Sequence, residues 1–352
     1  MSNLELEPQE TLCGADNVDS AAVELIVPRD VPLGGPRAMA VRRTLPSKER
    51  SLIGAWCFLD HYGPDDVSRT GGMRVPPHPH TGLQTVSWLF TGEIEHRDSA
   101  GHQALVRPGE LNLMTAGRGI NHSEYSTSGT TVLHGAQLWT ALPDASRHTD
   151  PGFERYVPEP VALVDVRGGH GGEARVFLGS LLGSVSPVRT YSPLLGAELT
   201  LEPHTAVVLD VDPTYEHGVL ADNGDVTVEG TRVPQGVLAY LAPDRAALRL
   251  ANEGDEPLRL LVLGGTPFGE EITMWWNFVG RDHDEIVGYR AAWQREIGAE
   301  TASRGEEESA AHDDARFGPV VELARGEGPL PAPALPHVRL RPRRGARERN
   351  HG

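Results

Sequence analysis

The chain has 352 residues, of which 40 are glycine and 28 are proline. Both residue types are unfavourable inside helices, so the composition predicts a β-rich fold with many turns, and the length suits two domains. The formal net charge of −17 argues against direct binding of nucleic acid, because an acidic surface repels phosphate backbones.

Residues 1–20 are polar and acidic, and we expect them to be disordered. They contain no apolar stretch typical of a secretory leader, and nowhere does an apolar run approach the roughly 18 residues of a membrane span. Two cysteines, Cys13 and Cys57, are too few for a disulfide framework and suit a reducing compartment. We therefore expect a cytoplasmic protein that does not associate with membranes.

Short β-like runs separated by turn residues predict a first β domain over residues 21–150. The clearest run is 83–90, in which Leu83 and Leu89 would lie on one face and Val86 and Trp88 on the other. Neither face is purely polar, which favours a strand packed between two surfaces.

Two pairs of polar residues within this domain share the same spacing. His78 and His80 are two residues apart, and so are His122 and Glu124. Side chains at i and i+2 of a strand lie on the same face, so each pair can direct two donor atoms at one ion. We expect the two strands to face each other across a barrel. Three imidazoles and one carboxylate suit iron(II), nickel, manganese or zinc, and the donors alone do not discriminate among them.

Other polar residues surround these pairs in the sequence. We interpret His61, His96 and His102 as hydrogen-bonded structural histidines rather than direct ligands. Asp98 is equally suited to orient a ligating imidazole and to cap a turn.

A second series of β-like runs predicts another β domain over residues 151–298. A helix is predicted near its end, because Asp282 and Glu285 have the spacing of a capping box. Apolar residues then recur at helical spacing and should pack on a barrel: Ile286, Tyr289, Trp293 and Ile297. We expect 299–352 to be largely disordered, although 317–323 and the proline-rich run to residue 342 are apolar enough to pack back onto the domain.

Several motifs of the first domain resemble those of the pirin family of the cupin superfamily. The matching segments are LDHYGP (59–64), HPHTG (78–82), HRDSAGH (96–102) and MTAGRGINHSE (114–124). The resemblance covers residues 21–298, and the last of these motifs is highly specific.

The resemblance implies an all-β fold of two stacked cupin β-barrels, a bicupin, with a few short helices. It also implies one iron(II) ion per chain, bound in the N-terminal barrel by His78, His80, His122 and Glu124. The C-terminal barrel of such proteins usually lacks metal ligands. This chain agrees, because its His204 and His217 are too far apart to form a pair of that kind.

One departure from the family pattern concerns Gln84, where many members have glutamate. Glutamine can form hydrogen bonds but cannot take up a proton. We therefore expect any acid–base chemistry of that carboxylate to be absent, and Glu124 to be the candidate base.

Two functions follow from the resemblance. The first is a redox-responsive regulator that binds a protein partner, a central-metabolism enzyme in particular. The alternative is an iron-dependent quercetin dioxygenase, which would bind a flavonol-like small molecule at the same ion. Because Gln84 cannot supply acid–base chemistry, we favour the regulator over the dioxygenase.

Overall fold

The computed structural model describes residues 23–33, 39–299, 315–321 and 327–342 of the chain. This part is built mainly from antiparallel strands, as the composition predicted. Within these ranges no helix is both long and apolar enough to cross a membrane. The predicted disorder of 1–20, and that of most of 299–352, lies outside the described residues.

The helices and strands of the first half are, in chain order, β1 (Glu24–Ile26), β2 (Arg29–Leu33), β3 (Met39–Leu45), β4 (Trp56–Asp66), α1 (Val67–Thr70), β5 (Arg74–His80), β6 (Leu83–Thr91), β7 (Ile94–Asp98), β8 (Gln103–Val106), β9 (Leu111–Thr115), β10 (Ile120–Ser126), β11 (Val132–Ala141) and β12 (Gly152–Tyr156).

Those of the second half are β13 (Pro160–Val164), β14 (His170–Leu178), β15 (Ser180–Leu181), β16 (Ser184–Val185), β17 (Leu194–Leu201), β18 (Thr205–Asp210), β19 (Glu216–Ala221), β20 (Val226–Val228), β21 (Thr231–Val233), β22 (Leu238–Leu241), β23 (Ala247–Asn252), β24 (Leu258–Gly265), β25 (Thr273–Trp275), β26 (Phe278–Gly280) and α2 (His283–Glu296).

The first barrel consists of two sheets that share an apolar core. One sheet has seven strands in the order β12-β9-β6-β11-β4-β3-β2, and the other has four in the order β5-β10-β7-β8. Tyr62 and Leu89 of the larger sheet pack with Val75 and Ile94 of the smaller one. The interior of this barrel, between the inner faces of the two sheets, is therefore where a functional site can form.

The second barrel repeats this design with a more uniformly apolar interior. Its sheets have the orders β1-β22-β19-β24-β17-β14-β13 and β18-β23-β20-β21. Aliphatic side chains of both sheets, among them Leu199, Val219 and Leu250, form its core.

The two seven-stranded sheets stack on each other through a third core. Trp88 of the first barrel stacks on Phe177 of the second with ring centroids 4.5 Å apart. Every residue of β6 except Thr91 is buried, because this strand lies between the interior of its barrel and the other barrel. The predicted all-β fold of two stacked barrels is confirmed.

Near each end of the predicted first domain, one strand pairs with the barrel of the other domain. β1 pairs with β22 of the second barrel, and β12 pairs with β9 of the first. The boundaries at residues 20, 150 and 298 stay predictions. The second barrel includes β1 from the predicted first domain, and the first barrel includes β12 from the predicted second domain.

Helix α2 follows the second barrel, with Asp282 as its N-cap accepting a hydrogen bond from the Glu285 amide. The carboxylate of Glu285 reaches back to the amide of Arg281 rather than of Asp282, so the predicted capping box is formed only in part. Ile286, Tyr289 and Trp293 are buried, as their spacing predicted.

A cluster around this helix also contains residues of the C-terminal extension. Phe317 is fully buried against Trp293, and Leu340 is buried as well. The described parts of the extension thus pack onto the protein, as their apolar content predicted.

Candidate metal centre

The four predicted ligands lie on two neighbouring strands of the first barrel. His78 and His80 belong to β5, and His122 and Glu124 belong to β10. These strands are hydrogen-bonded neighbours in one sheet, with His122 directly opposite His78. The expectation that they face each other across the barrel is therefore wrong. Adjacent antiparallel strands bring opposite side chains closer together than the two walls of a barrel would.

The ends of both strands are held in place by glycines. Gly82 follows β5 with φ +66°, and Gly117 precedes β10 with φ +52°; the amide of Gly82 donates to the carbonyl of Gly117. A Cβ atom on Gly82 would lie 2.3 Å from the carbonyl oxygen of Val279. These glycines fix the turns that align the ligand strands, as expected of backbone positions of this kind.

The donor atoms of the three histidines converge. The Nε2 atoms of His78 and His80 are 3.2 Å apart, and those of His80 and His122 are 3.1 Å apart. A carboxylate oxygen of Glu124 lies within 4.8 Å of ring nitrogens of His122 and His96. All five side chains are buried.

The outer ring nitrogens of two histidines bind carbonyl groups. Nδ1 of His78 lies 2.8 Å from the carbonyl oxygen of Pro76, and Nδ1 of His80 lies 3.1 Å from that of Asn277. A carbonyl oxygen only accepts, so both Nδ1 atoms carry the proton and both Nε2 atoms present a lone pair to the common centre.

The tautomer of His122 is set by a chain of two further residues. Nε2 of His96 lies 3.2 Å from a carboxylate oxygen of Asp98 and must donate to it. Nδ1 of His96 lies 3.3 Å from Nδ1 of His122, and the tautomer in which His122 donates here directs its Nε2 lone pair at the common centre. Asp98 in addition accepts from the amides of Ala100 and His102, so it caps this turn as predicted, whereas its link to His122 is indirect and runs through His96.

Burial keeps these imidazoles neutral. It lowers the pKa of His78 to about 4 and the pKa values of His80 and His122 well below the usual value. Three unprotonated lone pairs at contact distance, with a carboxylate beside them, form a set of donors that is suited to a cation. The donor set therefore fits a divalent first-row metal ion, and it leaves the identity of the metal open.

A second cluster of similar composition joins the two barrels. His61 and His134 of the first barrel lie 2.7 and 2.6 Å from the same carboxylate oxygen of Asp222, which follows β19. Arg42 lies 3.2 Å from Nδ1 of His61, and Arg259 donates to the other oxygen of Asp222. Since arginine only donates, Nδ1 of His61 accepts and its Nε2 carries the proton.

At the first cluster, imidazole lone pairs face a common centre. Here, imidazole N–H groups face the carboxylate of Asp222 instead. The cluster is a hydrogen-bond network in which one carboxylate accepts from both histidines, which agrees with the structural interpretation of His61. His134 and Asp222 were missed by sequence reasoning. No local spacing indicates them, since the three residues come together only when the barrels stack.

Gln84 lies on the opposite face of β6 from the interior of the barrel. Its amide donates to Thr115 and to the carbonyl of Arg189 in the second half of the chain, and it accepts from Thr140. The face it shares with Val86 and Trp88 packs against the second barrel. Position 84 is therefore not placed for acid–base chemistry at the site, because none of the hydrogen bonds of Gln84 leads to the four candidate ligands.

The two histidines of the second barrel that were predicted not to form a pair lie in different environments. His217 is buried, whereas His204 is exposed and paired with Asp255. Among the described residues, no group of three or more metal-binding side chains belongs to the second barrel alone.

Two stacked antiparallel barrels, with histidines converging inside the first, define a bicupin. The family model named Pirin matches residues 38–140, and the model named Pirin C-terminal cupin domain matches residues 196–297. The chain belongs to the pirin family.

Individual relatives are similar over most of the chain. A Pseudomonas aeruginosa protein, provisionally named a quercetin 2,3-dioxygenase, is 42% identical over 315 residues, which covers 89% of this chain and 91% of that protein. A pirin-like protein of Caulobacter vibrioides is 36% identical over 259 residues, covering 72% and 88% respectively. The crystal structure of quercetin 2,3-dioxygenase from Acinetobacter baumannii has a TM-score of 0.78 at 35% identity and covers 91% of this chain and 97% of its own.

Proposed function

We propose that this chain binds one iron(II) ion through His78, His80, His122 and Glu124, and that it opens the ring of flavonols such as quercetin with dioxygen. The observation that carries the proposal is the convergence of three unprotonated Nε2 atoms beside a buried carboxylate. The names of two relatives, at 42% and 35% identity, support the substrate class.

The ion would supply Lewis-acid polarisation of substrate oxygens and open positions next to the protein ligands. The three histidines hold their lone pairs in place through the hydrogen bonds on their outer nitrogens. Glu124 is the group of this cluster that can accept a proton from a substrate hydroxyl, because a carboxylate that binds an ion through one oxygen keeps a second oxygen, whereas each neutral imidazole has a single lone pair. Because Gln84 faces the second barrel, its lack of a carboxylate does not argue against the dioxygenase.

The test is oxygen consumption by protein purified without air, loaded with iron and supplied with quercetin. We expect consumption with ring opening for the wild type, none for His122→Ala, and wild-type rates for His204→Ala, which removes an exposed histidine of the second barrel. Absence of turnover with one equivalent of iron confirmed at the site would remove the dioxygenase proposal.

A second candidate is the redox-responsive regulator, which we propose to act in the cytoplasm on a metabolic enzyme. It is favoured by the position of the site inside a strongly acidic protein, with net charge −17, where oxidation changes a buried charge by one unit. A coupling of about 1–3 kcal/mol would change partner affinity about 5–150-fold. Equal binding of the enzyme by ferrous, ferric and His78→Ala proteins would contradict this function.

A further inference from the structure

The strand that carries the first two candidate ligands has few backbone donors of its own. β5 lies at the edge of its sheet, beside β10, and three of its seven residues are proline: Pro76, Pro77 and Pro79. Proline has no N–H group, so these positions donate no hydrogen bond to β10. An edge tolerates such residues, but the strand is held less firmly than a full ladder would hold it. The geometry of His78 and His80 therefore also depends on contacts outside the sheet.

The pairing of β5 with β10 is also interrupted between the ligands. The register shifts between His122 and Glu124, so that Pro76 and Pro77 together oppose one residue of β10. A bulge of this kind disrupts the ladder locally. The carbonyl group of Pro77 accepts a hydrogen bond from the amide of Leu330, 2.8 Å away, in the C-terminal extension. The extension thus adds a bond at the point where the ladder is interrupted.

We call residues 315–321 and 327–333 of this extension the strap, which lies on the outer side of β5 and β10. The fully buried side chain of Asn121 donates to three carbonyl groups of the strap, at 2.8, 3.4 and 3.0 Å. It also accepts from the amide of Val321 at 3.2 Å. Asn121 directly precedes the candidate ligand His122, so the strap grips β10 beside a ligand.

Two further contacts of the strap reach neighbours of other ligands. The amide of Leu330 binds the carbonyl group that precedes His78, and Glu327 accepts from the hydroxyl of Tyr125, which follows Glu124. Successive side chains of a strand point to opposite faces, so residues next to a ligand in sequence face away from the metal centre. Three of the four candidate ligands therefore have a sequence neighbour that binds the strap.

The fourth ligand is held by a segment that packs against the strap. Nδ1 of His80 lies 3.1 Å from the carbonyl oxygen of Asn277. The next residue, Phe278, contacts Phe317 of the strap with ring centroids 5.9 Å apart. On its far side the strap is fixed to helix α2, where the indole N–H of Trp293 donates to one of its carbonyl groups at 2.8 Å. The strap thus connects the ligand strands to the end of the second domain.

We propose that the strap is a conformational device coupled to the metal centre, with Asn121 and Leu330 as positioning residues. The ion and the docked strap stabilise the same arrangement of β5 and β10 from opposite sides. Release of the strap therefore weakens metal binding, and loss of the ion loosens the strap by the same factor, because coupling between two sites is reciprocal. The inference rests on the metal binding of the proposed function and not on the dioxygenase reaction.

Hydrogen exchange of the wild-type protein with and without nickel(II) tests one direction of this coupling. Nickel(II) is stable in air and suits imidazole donors. We expect the bound ion to slow the exchange of the Val321 and Leu330 amides about tenfold, within the usual range of coupling between sites. The amide of Leu340 is the control, because it binds His283 of α2 rather than a residue of the ligand strands. Its exchange should not change.

The affinity of two variants for nickel(II) tests the other direction. Asn121→Ala removes the side chain through which β10 holds the strap. Leu330→Ala shortens a side chain of the strap that packs against both the first barrel and the cluster around α2. We expect each substitution to weaken nickel(II) binding about tenfold, as measured by competition with a chelator.

Each variant has a matched control. Asn252→Ala changes an asparagine of the second barrel that is also buried and also donates to three carbonyl groups. Leu340→Ala shortens another leucine of the extension, which is buried in the cluster around α2. Both controls should lower the melting temperature of the metal-free protein and leave nickel(II) affinity unchanged. Metal affinity therefore separates positioning of the ligands from general stability.

Unchanged exchange of the strap amides with nickel(II) bound would overturn the inference and leave the metal site itself intact. Wild-type affinity in both test variants would do the same, as would an equal loss of affinity in the controls. Absence of nickel(II) binding by the wild type would remove both the inference and the metal site. Slower exchange, with weaker binding in the test variants alone, would support the inference even if the iron-loaded protein consumed no oxygen with quercetin.

Discussion

At the scale of single residues, hydrogen positions distinguish two clusters that have similar side chains. His78 and His80 donate their outer protons to carbonyl groups and present lone pairs to a common centre. His61 accepts from Arg42 on its outer nitrogen and presents a proton to Asp222. The partner on the far side of each ring therefore decides whether a histidine is suited to bind a metal ion.

The same reasoning predicts the effect of changing Asp98 to asparagine. The side-chain amide of asparagine would donate where the carboxylate accepts, so His96 would move its proton to Nδ1 and His122 would turn a proton toward the metal centre. We expect metal affinity to fall about 10- to 100-fold. Competition with a chelator measures this, and melting of the metal-free protein should change little.

The matched control is Asp255→Asn, which alters an exposed carboxylate hydrogen-bonded to His204 in the second barrel. It should leave metal affinity at the wild-type value. Unchanged affinity in Asp98→Asn as well would show that the His96 chain does not orient His122.

The candidate ligands could be identified from the sequence, because the i, i+2 spacing in β5 and β10 predicts that each pair lies on one face. The pairing of these strands could not, since spacing within a strand says nothing about its neighbour. Gln84 shows the same limit. Its position in the motif indicated a role at the site, but strand alternation turned it toward the second barrel.

At the scale of elements, the C-terminal extension supports the outer side of the ligand strands. Asn121, which precedes His122, donates to the carbonyls of Phe317 and Pro319. The amide of Leu330 donates to the carbonyl of Pro77, which precedes His78. The inner side of these strands carries the ligands, and the outer side is held by a segment distant in sequence.

Phe317 anchors this segment, and we expect Phe317→Ala to lower the free energy of unfolding by about 3 kcal/mol. The reason is the loss of a fully buried aromatic ring between Trp293 and Phe278. Chemical denaturation followed by tryptophan fluorescence measures the change. Val338→Ala is the control in the same extension, because Val338 is 58% exposed and its truncation should cost less than about 0.5 kcal/mol. Equal effects of the two substitutions would mean that the extension is not anchored through Phe317.

At the scale of the whole molecule, the stacked sheets make the two barrels parts of one core. Asp222 adds a polar contact between the barrels. Its carboxylate accepts hydrogen bonds from His61 and His134 of the first barrel and from Arg259 of the second. Its removal leaves two buried histidines, His61 and His134, and the partly exposed Arg259 without this acceptor.

We therefore expect Asp222→Ala to lower the free energy of unfolding by about 3 kcal/mol or more. In the wild type, metal release and loss of near-ultraviolet circular dichroism should occur in one transition. Asp255→Ala, at an exposed pair, should have almost no effect. Two separate transitions in the wild type, or an equally small effect of both substitutions, would show that the barrels are not coupled through Asp222.

The sequence by itself determined the β-rich composition, the two β domains, the start of helix α2 and the four candidate ligands. Each of these depends on neighbours within a few residues, which strand and helix periodicity relate directly. Only the tertiary structure decided which strands pair, that Gln84 faces away from the site, and that Asp222 joins His61 and His134. These depend on contacts between residues about 30 to 160 positions apart, which are set by the packing of two sheets and two barrels.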